Sequence, residues 1–399
     1  MKSRYKIAFL TSHVIQYQGP LFKKLAENPQ IDLTVLFCSK KGAEQYKDVE
    51  FGLHVKWDRD LLEGYSYKFL KNYSPFGAAA GFFQYMNFGI YKEMRESRYD
   101  AIIIFGYGWF ISWFAWASAL FLKIPIIFRG ETNLLRLNRQ KGLKRRAKEH
   151  ILRIFFSKCE CFLPIGKLNG EYFKYFGIDE KKLFSCPYAV DNDFFTKEKG
   201  FYQDKAGEIK SFYKIPVDKI VILFAGKFLS KKCPLDLLEA YKRMTNRQSC
   251  TLVFVGDGPL SQDMSRFVSE NNLRNVYFLG FLNQTEITKI YSITDVFVFP
   301  SDFEPFGLVL NEVMCFGIPV IISDQVSAGY DLVRDNGFTY PAGDITKLTD
   351  LLDRMVGDAD LRCRMGKRSS EIIAEWSYDQ DVRGILDGLN FVSEHKHGE

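Results

Sequence analysis

The sequence lacks a Cys-x2-Cys pair, although it contains eight cysteines. Scattered cysteines of this kind are typical of reduced thiols in the core of a cytosolic protein. A membrane-spanning helix needs about 20 apolar residues, and the candidate stretch Trp109–Leu122 is shorter. No apolar signal segment precedes the first predicted strand, Ile7–Leu10. These absences argue against a disulfide framework and a membrane span, and they favour a cytoplasmic location.

Acidic residues are almost missing between positions 136 and 158, where Glu149 is the only one. Residues 1–200 carry a net charge of +12, whereas residues 201–399 carry −6. The basic side chains alternate with apolar ones, which predicts an amphipathic helix on an anionic membrane surface, peripheral to the inner face. One alternative is a solvated helix face. Another is nucleic-acid binding, which the lack of RNP, zinc and basic-zipper motifs argues against. The basic residues are Arg136, Arg139, Lys141, Lys144, Arg145, Arg146, Lys148, Arg153 and Lys158.

A length of 399 residues suits two domains rather than one core. Both halves alternate short apolar runs with helical stretches, which predicts an α/β fold of two doubly wound, Rossmann-like domains. Trp109–Leu122 is interpreted as a crossover helix with a lipid-facing side. The polar stretch Asp191–Lys219 is predicted to be an irregular link, so the domains are assigned to 1–200 and 201–375. The predicted strands cover 6–10, 33–37, 101–105, 124–128, 161–165, 220–225, 251–255, 276–279, 295–299 and 319–322.

The segment Phe303–Glu312 carries the strongest functional signal. Its two carboxylates, Glu304 and Glu312, lie eight positions apart on either side of a Pro-Phe-Gly turn. A buried strand precedes the segment and a helix over 308–316 follows it, which places Glu304 in the loop and Glu312 about two turns into the helix. Backbone amides at the helix start form an anion cradle, and they belong to Phe306, Gly307 and Leu308. Two acids around an anion cradle suit a nucleotide-sugar.

This segment resembles the E-x7-E signature of the retaining glycosyltransferases of family 4, which have the GT-B fold. In that family the first Glu contacts hydroxyls of the donor sugar and the second Glu contacts the ribose. The resemblance covers nearly the whole chain and is most specific between positions 220 and 345. It implies two Rossmann-like domains facing a central cleft, with a last helix, here 376–395, that packs back on the N-terminal domain.

The resemblance implies further donor-binding residues in the second half of the chain. Lys227 and Lys232 follow the strand 220–225 and resemble the family's pair of cations on the donor pyrophosphate. Lys227 replaces the usual Arg, which makes phosphate binding less directional because an ammonium is a point charge. Gly256, in a Gly-Asp-Gly-Pro turn, allows close backbone approach beside the cleft. Phe281 and Leu282 lie in a segment that resembles the family's nucleobase-reading backbone.

Three residues of the first half complete the candidate site. Gly19 and His13 lie in the loop between the first strand and the first helix, which in the family faces the donor phosphate and the acceptor. His13 is a candidate phosphate contact or base, and the alternative is a local hydrogen bond. Glu131 follows a strand, and its carboxylate is a candidate for a role beside the anomeric carbon. Its alternatives are a helix cap or an ion pair with Arg129.

These observations predict a retaining glycosyltransferase that uses no metal and no cofactor. Its donor is a UDP-, GDP- or ADP-sugar, and its acceptor is a glycan or lipid-linked glycan of cell-surface polysaccharide biosynthesis. Lys227, Lys232 and helix amides neutralise the leaving group, and the Asp-x-Asp spacing at 191–193 is assigned to the link region rather than to a metal. An epimerase or phosphorylase on the same fold is the competing enzyme class. A non-catalytic sugar-binding protein is the competing binding class. No nucleic acid is expected as a partner.

Overall fold

A computed structural model of the chain describes residues 3–48, 52–75 and 77–396. The chain forms two compact units. The first unit contains Met1–Tyr46, Arg59–Tyr188 and Tyr378–Glu399, and the second contains Lys47–Asp58 and Ala189–Ser377. The sequence placed the boundary at 200 and assigned the whole of 1–200 to the first domain. The structure instead divides the chain after Tyr188 and groups Lys47–Asp58 with the second unit.

The first unit is built on a parallel sheet. Over the described residues its strand order is β5-β2-β1-β6-β7-β8. Its strands are β1 (Tyr5–Thr11), β2 (Ile31–Phe37), β5 (Ser66–Phe69), β6 (Ala101–Phe105), β7 (Ile126–Arg129) and β8 (Cys161–Leu163). Its helices are α1 (Gln18–Glu27), α2 (Gly89–Ser97), α3 (Phe110–Phe121), α4 (Leu134–Asn138), α5 (Leu143–Phe156), α6 (Lys167–Tyr175) and α16 (Tyr378–Lys396).

The second unit repeats this plan with a sheet of order β11-β10-β9-β12-β13-β14, also parallel over the described residues. Its strands are β9 (Ile220–Ala225), β10 (Cys250–Val255), β11 (Val276–Phe278), β12 (Val296–Phe299), β13 (Val320–Ser323) and β14 (Gly337–Tyr340). Its helices are α7 (Asn192–Tyr202), α8 (Ala206–Phe212), α9 (Pro234–Arg243), α10 (Ser261–Glu270), α11 (Gln284–Ser292), α12 (Val309–Cys315), α13 (Gly329–Leu332), α14 (Ile345–Gly357) and α15 (Ala359–Ala374). Two short strands, β3 (Tyr46–Asp48) and β4 (Leu53–Val55), pair separately.

The central strands are buried on both faces, which explains their continuous apolar sequences. Every residue of β10, β12 and β13 is buried. Helices cover each sheet, and the predicted fold of two doubly wound parallel-sheet domains is confirmed. Sequence reasoning missed β5 and β14, because the edge strand β5 is largely exposed and β14 starts with a glycine.

The predicted irregular link at Asp191–Lys219 is wrong, because α7 and α8 occupy most of it. The Asp191 carboxylate caps α7 by accepting a hydrogen bond from the Phe194 amide at 3.1 Å. The Phe195 ring is buried against Tyr291 and Phe316. One buried aromatic and one cap therefore stabilise a helix whose other side chains are mostly polar.

The last helix, α16, belongs to the first unit. Its Asp381 forms a buried ion pair of 2.8 Å with Arg129, which ends β7. The Cys186 thiol donates to the same carboxylate at 2.9 Å. A Cβ on Gly384 would lie 1.9 Å from the Ser185 carbonyl oxygen, so only glycine lets α16 pack this closely. Burial of two charges requires this pairing, because either charge alone would be strongly destabilising.

Candidate donor site

The loop that carries Glu304 joins β12 to α12 and is fixed by the neighbouring loop after β13. The Glu304 amide donates to the Gln325 carbonyl at 3.0 Å, and the Ala328 amide donates to the Phe306 carbonyl at 3.0 Å. The Phe306 ring stacks on Trp376 with centroids 6.2 Å apart. These contacts hold the loop at the carboxyl end of the sheet, where ligands of such folds bind.

Gly307 is required by the turn between Glu304 and α12. Its φ of +105° lies in the region that favours glycine. A Cβ at this position would also lie 2.7 Å from the Phe299 ring. The turn residues Phe306 and Leu308 have buried side chains, and α12 begins directly after them at Val309. The predicted phosphate contact of these three backbone amides stays a prediction.

Glu304 and Lys232 form an ion pair in which the ammonium donates to Oε2 of the carboxylate. Their side chains are only 14% and 15% exposed, so water screens the pair weakly. Lys232 ends a short 3-10 helix, Ser230–Lys232, in the loop after β9. The structure therefore brings together the predicted sugar-contacting acid and the second predicted phosphate-binding cation, which sequence alone could not place side by side.

Glu312 lies in the first turn of α12. The prediction that it lies about two turns into the helix is wrong, because the interval 308–312 spans only about one helical turn. Its carboxylate is buried and accepts a hydrogen bond of 2.6 Å from the Tyr291 hydroxyl. Burial raises the pKa of Glu312 from its ordinary 4.5 to about 7, and the Tyr291 hydrogen bond only partly opposes this shift.

We expect Glu312→Gln to change how stability depends on pH. The folded chain binds the Glu312 proton more tightly than the unfolded chain, so ionisation destabilises the fold as pH rises from about 4.5 to about 7. Between pH 4.5 and pH 8 the Gln variant should gain about 3 kcal/mol of unfolding free energy relative to the unmodified protein. Urea denaturation at both pH values measures this gain. The exposed Glu270→Gln is the control, and an equal offset at both pH values would contradict the expectation.

Three adjacent loops at the carboxyl edge of the second sheet position Lys227. The Gly226 amide donates to the Val255 carbonyl at 2.9 Å, and the Gly256 amide donates to the Gly280 carbonyl at 2.8 Å. Gly256 has a φ of +133°, and a Cβ there would lie 2.0 Å from the Gly226 carbonyl oxygen. Gly256 thus permits close backbone contact beside Lys227.

Phe281 and Leu282, the predicted nucleobase segment, follow β11 in the same set of loops and are half-buried. The Gly256–Gly280 hydrogen bond joins their loop to the one after β10. Lys227 and the nucleobase segment therefore belong to neighbouring loops of one edge of the sheet. Nothing in this geometry assigns a base, so the nucleobase contact stays a prediction.

Lys227 also has a partner that sequence reasoning missed. Its ammonium lies 3.1 and 3.2 Å from the two carboxylate oxygens of Asp48. Asp48 is buried and belongs to the segment Lys47–Asp58, which groups with the second unit. The two residues are 179 positions apart, and no spacing or motif in the sequence connects them.

The first unit holds the other predicted residues. His13 follows β1 and its Nδ1 lies 2.8 Å from the Ser12 hydroxyl. Gly19 is buried in the first turn of α1, where a Cβ would lie 2.8 Å from the Leu61 carbonyl oxygen. Gly19 therefore serves close packing, and its contact with a donor stays a prediction.

Glu131 follows β7, two strands from β1 in the same sheet. Its carboxylate accepts a hydrogen bond of 2.6 Å from the Tyr188 hydroxyl. Arg129 does not supply the alternative ion pair, because its guanidinium is bound to Asp381 and lies 5.6 Å from the Tyr188 ring centre. The cap of α4 is Asn133 rather than Glu131. The Glu131 carboxylate is thus fixed by a buried tyrosine.

One stretch of the second unit contains all the candidate residues of this edge. It includes the loops with Lys227, Gly256, Phe281 and Glu304 and the helix with Glu312. Residues 206–371 match the family described as glycosyl transferases group 1. This matching stretch contains both predicted acids and both predicted cations. The match supports the resemblance at the level of a glycosyltransferase domain, and it does not distinguish families within that group.

Curated relatives match a stretch of similar length. The chain is 27% identical over 174 residues to alpha-D-kanosaminyltransferase of Streptomyces kanamyceticus, covering 43% of this chain and 45% of that protein. It is 26% identical over 184 residues to N-acetyl-alpha-D-glucosaminyl L-malate synthase of Bacillus anthracis, covering 45% and 48%. The chain thus spans about half the length of these relatives.

The similarity in fold covers nearly the whole chain. Anabaena HepE, solved in complex with UDP and glucose, aligns with a TM-score of 0.72 at 15% identity and covers 97% of this chain and 100% of its own. This identity supports the fold alone. The predicted GT-B fold is confirmed by this likeness and by the two parallel sheets.

Proposed function

We propose that this protein is a retaining, metal-independent glycosyltransferase that uses a UDP-, GDP- or ADP-sugar donor. The observation that carries the proposal is the Lys232–Glu304 ion pair at the carboxyl edge of the second sheet. Lys227 lies in the same loop after β9 as Lys232, and the buried Glu312 follows Glu304 in α12. UDP bound to HepE supports a nucleotide donor. The named glycosyltransferases among the relatives support a transfer reaction.

Each residue has a distinct part in the proposed reaction. Glu304 orients the sugar hydroxyls, and Lys227 and Lys232 neutralise the diphosphate as it leaves. The bond between the anomeric carbon and the phosphate oxygen breaks, and the acceptor oxygen bonds to that carbon from the same face. The acceptor proton passes to an oxygen of the leaving phosphate. The reaction therefore needs no carboxylate nucleophile, and the lysines supply the charge that a metal would otherwise provide.

A thermal-shift screen with UDP-, GDP-, ADP- and CMP-sugars tests the donor class, because a ligand that binds only the folded protein raises its melting temperature. NMR of the product made with the stabilising donor then shows whether the anomeric configuration is retained. An inverted product would contradict the retaining mechanism. Change of the donor sugar without an acceptor would indicate an epimerase, and consumption of inorganic phosphate would indicate a phosphorylase.

We further propose that the acceptor is a glycan or lipid-linked glycan at an anionic membrane, with the protein docked peripherally on its inner face. No helix among the described residues is long and apolar enough to cross a membrane. Support for surface docking comes from α5, whose exposed side carries Leu143, Ile151 and Ile154 between the exposed cations Lys144 and Arg146. Large apolar side chains flanked by cations suit the boundary between lipid headgroups and acyl chains.

Aromatic side chains of the first unit extend this apolar surface. Phe88 and Phe110 lie with ring centres 5.8 Å apart, and Phe114 packs on both rings. Phe121, at the end of α3, is 76% exposed. The α3 helix packs against α5, because the Trp116 indole donates to the Phe155 carbonyl at 3.1 Å. The two helices are therefore neighbours in the first unit.

Only some of the predicted basic residues are available for docking. Arg145 pairs with Glu149 at 2.6 Å, and Lys148 lies 5.5 Å from the Tyr107 ring centre. Arg153 donates to the Phe176 carbonyl at 3.1 Å. The exposed cations Lys144, Arg146 and Lys158 are therefore the better test residues.

We expect serine at Lys144, Arg146 and Lys158 to release the protein from anionic liposomes. Each cation near such a surface contributes about 1 kcal/mol, so the triple variant should bind roughly 100-fold more weakly at low salt. Co-sedimentation with phosphatidylserine vesicles measures this. The control replaces three exposed cations of the second unit, Lys347, Arg364 and Lys367, with serine. Equal release by both variants would show a general charge effect, and the docking surface would then be wrong.

A further inference from the structure

The two predicted phosphate-binding cations of the second unit are both paired with carboxylates. Lys227 pairs with Asp48, and Lys232 pairs with Glu304. The four formal charges sum to zero, so this edge of the sheet attracts a diphosphate less than two lone cations would. A diphosphate gains full contact with the ammonium groups only when at least one carboxylate moves away.

The proposed reaction can proceed when the Asp48 carboxylate moves away from Lys227. Glu304 has a part in holding the sugar, and its loop is fixed by backbone hydrogen bonds to 325–328. Asp48 instead ends β3, and no donor contact is predicted for its carboxylate. Left in place, that carboxylate would repel the donor phosphates at short range.

The strand β3, which ends at Asp48, pairs with β4, and the residues after β4 contact the start of α11. The Asp58 carboxylate accepts a hydrogen bond of 2.9 Å from the Thr285 amide, and the Asn283 side chain donates to the Lys56 carbonyl at 2.7 Å. Both contacts come directly after the predicted nucleobase segment, Phe281 and Leu282. Asp48 thus lies at the predicted phosphate position, and the paired strand β4 leads into exposed polar contacts beside the predicted base position.

We propose that Asp48 occupies the place of the donor pyrophosphate on Lys227, and that Asp48 and residues 52–58 form a latch which the nucleoside diphosphate displaces. This inference rests on the proposed function, because it takes Lys227 as a phosphate-binding residue. Asp48 belongs to the N-terminal half of the sequence and yet controls access of the donor to the predicted phosphate site at Lys227. The donor pyrophosphate and the Asp48 carboxylate then compete for the Lys227 ammonium group.

Calorimetric titration with UDP, GDP and ADP tests the competition. Asp48→Asn keeps the size of the side chain but removes its charge, so the nucleotide that binds should bind about three- to tenfold more tightly. In a Lys227→Ala background the same substitution should tighten binding by less, because the contested ammonium is gone and only the repulsion between Asp48 and the phosphates is relieved. Asp263→Asn, an exposed carboxylate of the second unit paired with Arg266, is the matched control and should leave the affinity unchanged. Unchanged or weaker binding by Asp48→Asn would overturn the proposal.

Hydrogen–deuterium exchange of residues 52–58 gives a second readout that needs no donor. Without nucleotide, Asp48→Asn should raise exchange in these residues, and Asp263→Asn should not. In the unmodified protein, nucleotide binding should raise the same exchange. If a nucleotide binds and exchange does not change, the latch is wrong and the proposed function stands. If none of the nucleotides binds either form, the proposed function fails, and unchanged exchange in Asp48→Asn would then overturn the latch as well.

Discussion

Replacing Glu304 with glutamine is expected to reduce sugar transfer by about 10- to 150-fold, while the protein stays folded. A hydrogen bond from a charged group is worth about 1.5–3 kcal/mol, and this carboxylate is expected to make one to the donor sugar. The backbone of Glu304 is held by the Gln325 carbonyl and does not depend on the side chain. Transfer assays with the donor found in the thermal-shift screen measure the loss.

Glu270→Gln is the control for this experiment, because Glu270 is an exposed carboxylate of the same unit at the end of α10. Free nucleoside diphosphate should bind Glu304→Gln at least as well as the unmodified protein, since Lys232 loses a competing carboxylate. Near-normal transfer by a folded Glu304→Gln variant would remove Glu304 from the site. Loss of nucleotide binding would show that its part is structural.

Lys232→Ala is expected to weaken binding of the free nucleoside diphosphate and of the sugar donor alike, by about tenfold or more. The ammonium contacts the phosphates common to both ligands, and a charged hydrogen bond contributes about 1.5–3 kcal/mol. The alanine also leaves Glu304 without its cation, so the remaining carboxylate repels the phosphates. Calorimetric titration of both ligands measures the two affinities.

The neighbouring Lys231→Ala is the matched control, because Lys231 is exposed and carries the same charge. It should change either affinity by less than about twofold, as expected for an exposed charge. A variant of Lys232 that lost the sugar donor but kept the diphosphate would place this cation at the sugar instead. Addition of EDTA should leave transfer intact, and a strict requirement for Mg²⁺ would contradict neutralisation by lysine.

The sequence predicted the two sheets well because their central strands are buried on both faces. Runs such as Ile220–Ala225 are apolar throughout, and the structure makes that run β9. The edge strand β5 has mostly exposed residues and gave no comparable signal. The link at Asp191–Lys219 was missed as helix for a related reason, since a single cap and the buried Phe195 stabilise α7 among polar side chains.

The candidate site was predictable only where its residues are close in sequence. Glu304 lies in a loop and Glu312 lies in the helix that follows it, so their spacing predicted that both belong to one site. The depth of Glu312 in α12 was still misjudged, because the interval between the predicted helix start at 308 and Glu312 makes only about one helical turn. Asp48 was missed because its contact with Lys227 joins positions 179 apart, and such pairings follow from tertiary packing rather than from local pattern.

The buried Arg129–Asp381 pair joins positions 252 apart and ties α16 to the first unit. A chain leaves the ribosome N-terminus first, at about 5–20 residues per second, and domains generally fold as units. The second unit has its whole sequence available once Ser377 has emerged. Arg129, by contrast, obtains its carboxylate only once α16 has emerged, because Tyr378–Glu399 belongs to the first unit. The unit whose synthesis begins first is therefore the one whose folding finishes last.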